Sequence, residues 1–475
     1  MKQITAERGE AIAGQAPSAR WTLASLSFSM LLPSLGTSIA NVGLPSLAQA
    51  FNAAFQDVQW IVLAYLLAIT TLVVSAGRLG DIVGRKRLLL IGILLFTMAS
   101  ILCGLAPTLW VLVAARAVQG LGAAMMMALT MAFIGETVPK VRIGSAMGLL
   151  GTMSAVGTAL GPSLGGVLIA SFGSPAIFLV NVPLGVLTFA LAFRHLPADI
   201  SGSKTDRARF DIAGTLLLAL TLSAYALAMT IGHGRFGPLN AALLLAAAFG
   251  IGFFVFAEAR TASPLIRLAA FRDPALSASL AMNIFVSTVM MATLVVAPFY
   301  LCRTLGLDEA FVGIVMSSGP VISTLSGVPA GRLVDRLDAP FVIVAGLIAM
   351  AAGSIALAVL PGIAGYIAAI AILTPGYQLF QAANNTAVMA HVRPDQRGVI
   401  SGMLNLSRNL GLITGASVMG AVFALASATS DIATARPEAV ASGMRITFAV
   451  AAALIAVALV VAVAVYRHLP RAERR

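Results

Sequence analysis

Charge is what this 475-residue chain has least of: 10% of it is Asp, Glu, Lys or Arg, where a soluble domain carries roughly 25%. Water is therefore not its main solvent. Cysteine is scarce too. Cys103 and Cys302 lie far apart, each in or at the edge of an apolar segment, and their spacing suits neither a metal site nor a disulfide framework. The four histidines, His195, His233, His391 and His468, fall in loops or at segment ends, and none of the 18 acidic residues falls in the middle of an apolar segment. With no buried nucleophile, acid–base pair or metal cluster to be read, neither an enzyme nor a resident metal or cofactor is expected. The formal net charge of +12 is scattered between apolar segments rather than gathered on one face, so a nucleic-acid partner is not expected. The polar start leads into a long apolar segment rather than a short one with a cleavage site, so no removable signal peptide is expected.

What is present is apolar length. Hydrophobic residues make up 59% of the chain and mean hydropathy is +0.97. A bilayer core about 30 Å thick takes about 20 apolar residues per helix. Breaking the chain at charged, Pro-rich and Gly-rich turns predicts helices at 21–44, 57–77, 88–106, 109–134, 142–170, 175–194, 212–232, 238–258, 275–301, 309–330, 341–360, 363–390, 398–424 and 442–466. That makes fourteen, or thirteen if the pair divided only by SFGS (171–174) merges. Lys and Arg collect on the cytoplasmic side of membrane proteins. With the N-terminus inside, 24 of the 30 fall on inner segments, Arg235, Arg303, Arg436 and Arg445 fall outside, and Arg116 and Arg408 lie within helices. One miscounted helix would invert every later loop, so fourteen spans with both termini cytoplasmic is the expectation, in the inner or plasma membrane.

The chain also repeats itself. GRLGD (77–81) returns as GRLVD (331–335), and Gly157 and Gly161 return as Gly411 and Gly415, each 254 residues on; Pro139 and Arg142 return as Pro394 and Arg397 at 255. Two homologous six-helix halves follow, with two helices in excess. The expected organisation is a tail at 1–20, a bundle at 21–194, a linker at 195–211, an added helix pair at 212–258, a loop at 259–274, a second bundle at 275–466 and a tail at 467–475. Parallel halves related by an axis along the membrane normal place a substrate site between them at the midplane.

Three segments make the chain resemble the major facilitator superfamily, and within it the fourteen-span branch of drug:proton antiporters. GRLGDIVGRKR (77–87) is similar to motif A, RAVQGLGAA (116–124) to the exporters' motif B, and GTALGPSLGG (157–166) to the antiporter motif C. The resemblance implies an all-α membrane fold of two pseudo-symmetric six-helix bundles plus two added helices, and efflux of drugs or other small amphipathic molecules by alternating access, coupled to protons. Its partners are a small-molecule substrate, the lipid bilayer and protons. In motif A (Gly77, Arg78, Gly80, Asp81, Gly84, Arg85, Lys86) the glycines allow a tight turn, and Asp81 can receive the neighbouring cations or a helix N-terminus; the family implies a latch made in one conformation and broken in another. In motif C, Gly157, Gly161 and Gly165 bare one helix face to a neighbour, with Gly166 beside them, and Pro162 removes a backbone donor and can kink the helix. A topogenic basic loop and plain small-residue packing are the respective alternatives.

One departure from the family stands out. Exporters of this branch carry an acid in the first span, in a pattern like LDxTIVNVALP; here the stretch is LGTSIANVGLP (35–45), with Gly36 at the acidic position. The remaining coupling candidates are Asp57 and Asp81. The deep charges are Arg116 and Arg408, which cannot titrate, so a pocket with positive charge and no negative one favours anionic or neutral substrates. Polar stripes complete the candidate substrate site: Gln119 with Arg116, Thr37 with Asn41, Asn283 with Ser287, Gln378 with Gln381 and Asn385, and Asn405 with Arg408 and Asn409. Interhelical glue is the alternative for each. A specific carrier of one organic anion or metabolite, without conventional proton antiport, is the alternative function.

Overall fold

The computed structural model describes residues 16–53, 55–58, 60–199, 211–230, 237–261, 264–307, 309–393, 396–427 and 436–468. Most of both expected tails and most of the 195–211 linker thus lie outside the described residues, while 16–20 and 467–468 belong to helices. Fourteen helices are long and apolar enough to cross a membrane: α1 (Ala16–Ala50), α2 (Trp60–Val83), α3 (Arg85–Gly104), α4 (Leu109–Thr137), α5 (Ile143–Phe172), α6 (Asn181–His195, entered through a short turn at Ala176–Leu179), α7 (Ile212–Thr230), α8 (Pro238–Arg260), α9 (Pro274–Phe299), α10 (Glu309–Arg336), α11 (Ala339–Val359), α12 (Gly362–His391), α13 (Arg397–Ala426) and α14 (Pro437–His468).

Their ends follow local chemistry. The Thr108 hydroxyl caps α4 by accepting from Val111 N, and Asp273 caps α9 ahead of Pro274, where a missing N–H costs nothing. Gly84 at φ 111° and Gly173 at φ 80° adopt backbone that other residues resist. Gly173 ends α5, so α5 and α6 are separate helices and the merged, thirteen-span count does not occur.

Between helices in lipid there is little hydrophobic drive, so backbones approach closely at small residues. A Cβ on Gly92 would lie 2.7 Å from Met125 Cβ, and one on Gly122 2.7 Å from Gly92 O, locking α3 to α4. Gly346 and Gly376 do the same for α11 and α12, at 2.8 Å from Gly376 O and 2.9 Å from Gly346 O. Gly157 brings α5 onto α1, where an added Cβ would lie 2.6 Å from Leu31 O, while its repeat partner Gly411 brings α13 onto α9, where an added Cβ would lie 2.5 Å from Ile284 O. The 254-residue repeat is therefore a repeat of packing: two six-helix bundles with matching contacts.

The halves meet along α2 with α13 and along α5 with α10. The added hairpin, α7 and α8, lies outside the first of these seams. Tyr225 on α7 bonds Thr414 on α13, Ser417 on α13 donates to Met229 O, and α7 also packs against α2. Large apolar side chains such as Leu102, Val167, Phe193, Leu220, Phe249 and Ile314 are exposed, as a bilayer-facing surface requires.

Candidate functional site

One end of the bundle is bridged by two aspartates that mirror each other. Asp81, at the foot of α2, accepts from Gly398 N at 3.0 Å and Val399 N at 3.2 Å, the first amides of α13. Asp335, 254 residues later at the foot of α10, accepts from Ser145 N at 2.9 Å and from its hydroxyl, at the start of α5. Each carboxylate thus sits on the positive N-terminus of a helix in the other half. Arg85 completes the first latch, donating to Asp81 through Nη2 at 2.8 Å and Nε at 3.2 Å. Bare backbone makes the closure possible: Gly77 lies against Gly398 and Gly331 against Gly144, so close that a Cβ on any of them would collide. Gly80 leaves room for Leu129.

The other motif A residues do different work. Arg78 lines a cavity between α13 and the segment Pro264–Ala270. Lys86 turns away from Asp81 and donates to Leu196 O at 2.7 Å. Asp199, which the sequence did not single out, accepts from Lys86 N at 2.9 Å and Arg87 N at 3.1 Å and so caps α3. A Cβ on Gly84 would lie 2.5 Å from that carboxylate. A lone aspartate shortly after a helix ending in Arg and His was the trace of this cap in the sequence.

Arg116 and Gln119 are placed inside the N-terminal half, both wholly buried, rather than at the seam between halves. Arg116 donates through Nε to Ile61 O at 3.0 Å and through Nη1 to Gln119 Oε1, while Gln119 Nε2 donates to Ser100 Oγ at 2.7 Å. The guanidinium lies over the Tyr65 ring at 4.0 Å from its centroid, and Tyr65 OH donates to Pro33 O at 2.9 Å. Aromatic faces and carbonyls thus replace a carboxylate as the partners of this buried cation. Gly36 is part of the same cluster: a Cβ there would lie 3.5 Å from Tyr65 OH and 3.3 Å from Phe96 Cζ. The position where the family carries an acid looks straight at Tyr65, which covers Arg116.

Arg408 is in a different setting. On α13, Ser407 and Gly411 face α9, Ser401 and Asn405 face α4 of the other half, and Arg408 occupies the arc between. It is half-buried, its Nε is buried without a hydrogen-bond partner, and among the described residues no carboxylate pairs with it. Polar groups surround this level of the bundle. Asn405 donates to Ser401 O at 3.0 Å and reaches Met127 O at 3.4 Å. Asn283 donates to Leu404 O at 2.9 Å and Ser407 Oγ at 2.8 Å. Gln378 bonds Ser323, with Gly151 of the other half against its amide oxygen, and Gln381 donates to Tyr377 OH at 3.0 Å. Asn384, which the sequence reading passed over, is the wholly buried one and donates to Ser279 O, leaving Asn385 half-buried.

The remaining candidates lie toward the opposite end. Thr37 is half-buried and turned back onto Pro33 O, while Asn41 is exposed. Asp57 is exposed in the short turn Phe55–Val58. A Cβ on Gly161 would lie 2.8 Å from Ile39 N of α1, Gly165 is buried, and a Cβ on Gly166 would meet nothing within 4 Å. Pro162 falls within α5, its side chain outside the described residues. A Cβ on Gly313 likewise meets nothing within 4 Å. The glycine contacts between halves therefore cluster at the latched end, where Gly77, Gly144, Gly148, Gly331, Gly398 and Gly402 lie.

Comparison with known proteins agrees with this fold. The model of the Major Facilitator Superfamily matches residues 26–416 and 279–475. The chain is 30% identical over 409 residues to the multidrug resistance protein Stp of Mycobacterium tuberculosis, covering 85% of this chain and 75% of that one. It is 29% identical over 411 residues to the riboflavin transporter RibZ of Clostridioides difficile, covering 85% and 88%. Among solved structures, the proton:xylose symporter XylE superimposes with a TM-score of 0.68 at 15% identity, over 96% of this chain and 97% of that one.

Proposed function

The chain belongs to the major facilitator superfamily, and from that premise we propose that this multi-pass transporter exports small amphipathic molecules, anionic or neutral, by alternating access coupled to protons. The basic, latched end faces the cytoplasm of the inner or plasma membrane, and the closed latches mark the outward-facing state. The observation that carries the substrate class is Arg408, a half-buried cation at the level of the seam with no carboxylate paired to it among the described residues. An uncompensated positive charge in a low-dielectric cleft attracts anions and repels cations. Arg408, Gln381, Asn385 and, toward the open end, Asn41 are the contacts this reading gives the substrate. Arg116 and Gln119 act behind them, fixing α4 to α2 and α3. The multidrug name of Stp supports a broad export role, and the riboflavin name of RibZ supports the narrower reading, one organic metabolite carried specifically, which Arg408 also suits.

With Gly36 in place of the family's acid, coupling falls to Asp81 in the latch or to Asp57 at the outer end. Purified protein in proteoliposomes under imposed pH gradients tests the whole reading. The expected outcome is gradient-driven flux of an anionic dye well above that of a cationic analogue of the same size, with the pH dependence lost in Asp57→Asn if that residue carries the proton and kept if Asp81 does. Equal flux of the cationic analogue would overturn the substrate class, and flux indifferent to the gradient would overturn proton coupling.

A further inference from the structure

The α7–α8 hairpin carries a buried carboxylate that the transport cycle above leaves unused. Glu258, near the end of α8, is 3% exposed. Its Oε2 accepts from Ile266 N at 3.3 Å, while its Oε1 is buried without a hydrogen-bond partner. Opposite it, Asp211 caps α7, with Oδ1 accepting from Gly214 N at 2.7 Å. Gly214 lies between the two acids: a Cβ there would collide with Glu258 Oε1 and Asp211 Oδ2 at once, so the two oxygens line one narrow gap. No described cation neutralises them. Arg260 lies on the Phe256 ring at 4.0 Å, Arg78 and Arg267 line a cavity together with Leu265 and Ile266, Asp81 is held by Arg85 and α13, and Asp273 caps α9. Two carboxylates facing each other, one of them shut away from water, ionise together only at a cost, and one proton between them removes that cost.

The gap is joined mechanically to the latch. Leu265 and Ile266, 2% and 4% exposed, are held by the Glu258 bond and line one cavity with Arg78 of motif A and Val399 and Met403 of α13. Val399 is also the residue whose amide Asp81 grips. The segment after the hairpin is thus wedged at the foot of the helix that must move when this end opens.

We propose that Glu258 and Asp211 form a proton-binding site at the latched end, sharing one proton while the Pro264–Ala270 segment is docked against α13 and losing it when that end opens. The proton is exchanged with the cytoplasm, so the pair senses internal pH rather than carrying a proton across. The inference rests on the reading that the latched end is cytoplasmic and opens during transport. Its sign is fixed: acid keeps the pair protonated and the end shut, whereas rising pH sets two negative charges against each other, releases Ile266 and favours opening.

The test needs no substrate, so failure of the export assays leaves it intact. Spin labels are placed at Val141 and Leu337, exposed positions on opposite halves of the latched end, in the full chain carrying Cys302→Ser, reconstituted in lipid nanodiscs. Raising the pH from about 5 to about 9, which spans the upward displacement burial gives a carboxyl group, should lengthen the label distance in the parent. Glu258→Gln, which keeps the shape without the charge, should hold the short distance throughout. Asp211→Asn should lose the response as well, and provides the same readout if the first variant does not fold. A parent whose distance ignores pH, or a Glu258→Gln variant that keeps the parent's response, overturns the proposal.

Discussion

Arg116 and Arg408 are the same side chain in opposite circumstances. Both stand out in the sequence as charges within apolar helices. Folding encloses Arg116 with a carbonyl, a glutamine and an aromatic face, leaving one buried Nη2 without a partner, and leaves Arg408 half-buried with an unpartnered Nε. Arg116 is sealed at 0% exposure, so even its unpartnered Nη2 is out of a substrate's reach, whereas half-buried Arg408 has a charge-assisted bond in reserve, about 1.5–3 kcal/mol. Arg408→Gln is therefore expected to raise the apparent KM for an anionic substrate roughly ten- to a hundredfold, leaving a neutral one nearly unchanged, with Arg408→Lys recovering part of the loss; concentration series of flux measure this. At Gly36, an aspartate would have to gain a few tenths of an ångström from Phe96 and would then set its carboxylate beside Tyr65 and the cation beneath it. Gly36→Asp is expected to steepen the dependence of flux on the imposed pH gradient. A profile identical to the parent's would separate that position from coupling in this chain.

Among elements, the mirrored aspartates tie the two halves together at one end. GRLGD and GRLVD announce the two aspartates, but the amides they grip lie 317 and 190 residues away, a distance no local pattern bridges. Each latch joins a carboxylate to a helix N-terminus across the halves, worth about 1–3 kcal/mol. Asp81→Asn and Asp335→Asn are each expected to shift the balance toward an open latched end by roughly five- to a hundredfold, and the double variant further, since the two sites share no partner. Position 405 is 3% exposed in the closed form. The rate at which a maleimide reaches Asn405→Cys therefore reports opening, and an unchanged rate in both single variants would deny the latches a gating role.

At the scale of the molecule, one exposed cysteine tests the orientation. Cys302 follows α9 at the end opposite the latches, and Val141 joins α4 to α5 at the latched end. On intact cells an impermeant maleimide is expected to label Cys302 directly, and to label Val141→Cys in a Cys302→Ser background only after permeabilisation; the reverse pattern would invert the assignment of sides.

Helix number and the duplicated architecture were legible without coordinates because they depend on local apolar length and on residues repeated in register, and a bilayer translates both directly into spans and bundles. The glycines of motif A and motif C could be read as sites of close approach, though not what approached them. Tertiary structure alone decided that Asp199 fills the space beside Gly84, that Arg116 is wholly enclosed within its own half while Arg408 stays half-buried, and that Glu258 is buried against Asp211 rather than solvated in a loop. Each of those outcomes is set by which helices become neighbours. In lipid that choice turns on the fit of small residues and single hydrogen bonds between distant segments, and composition and periodicity carry no record of it.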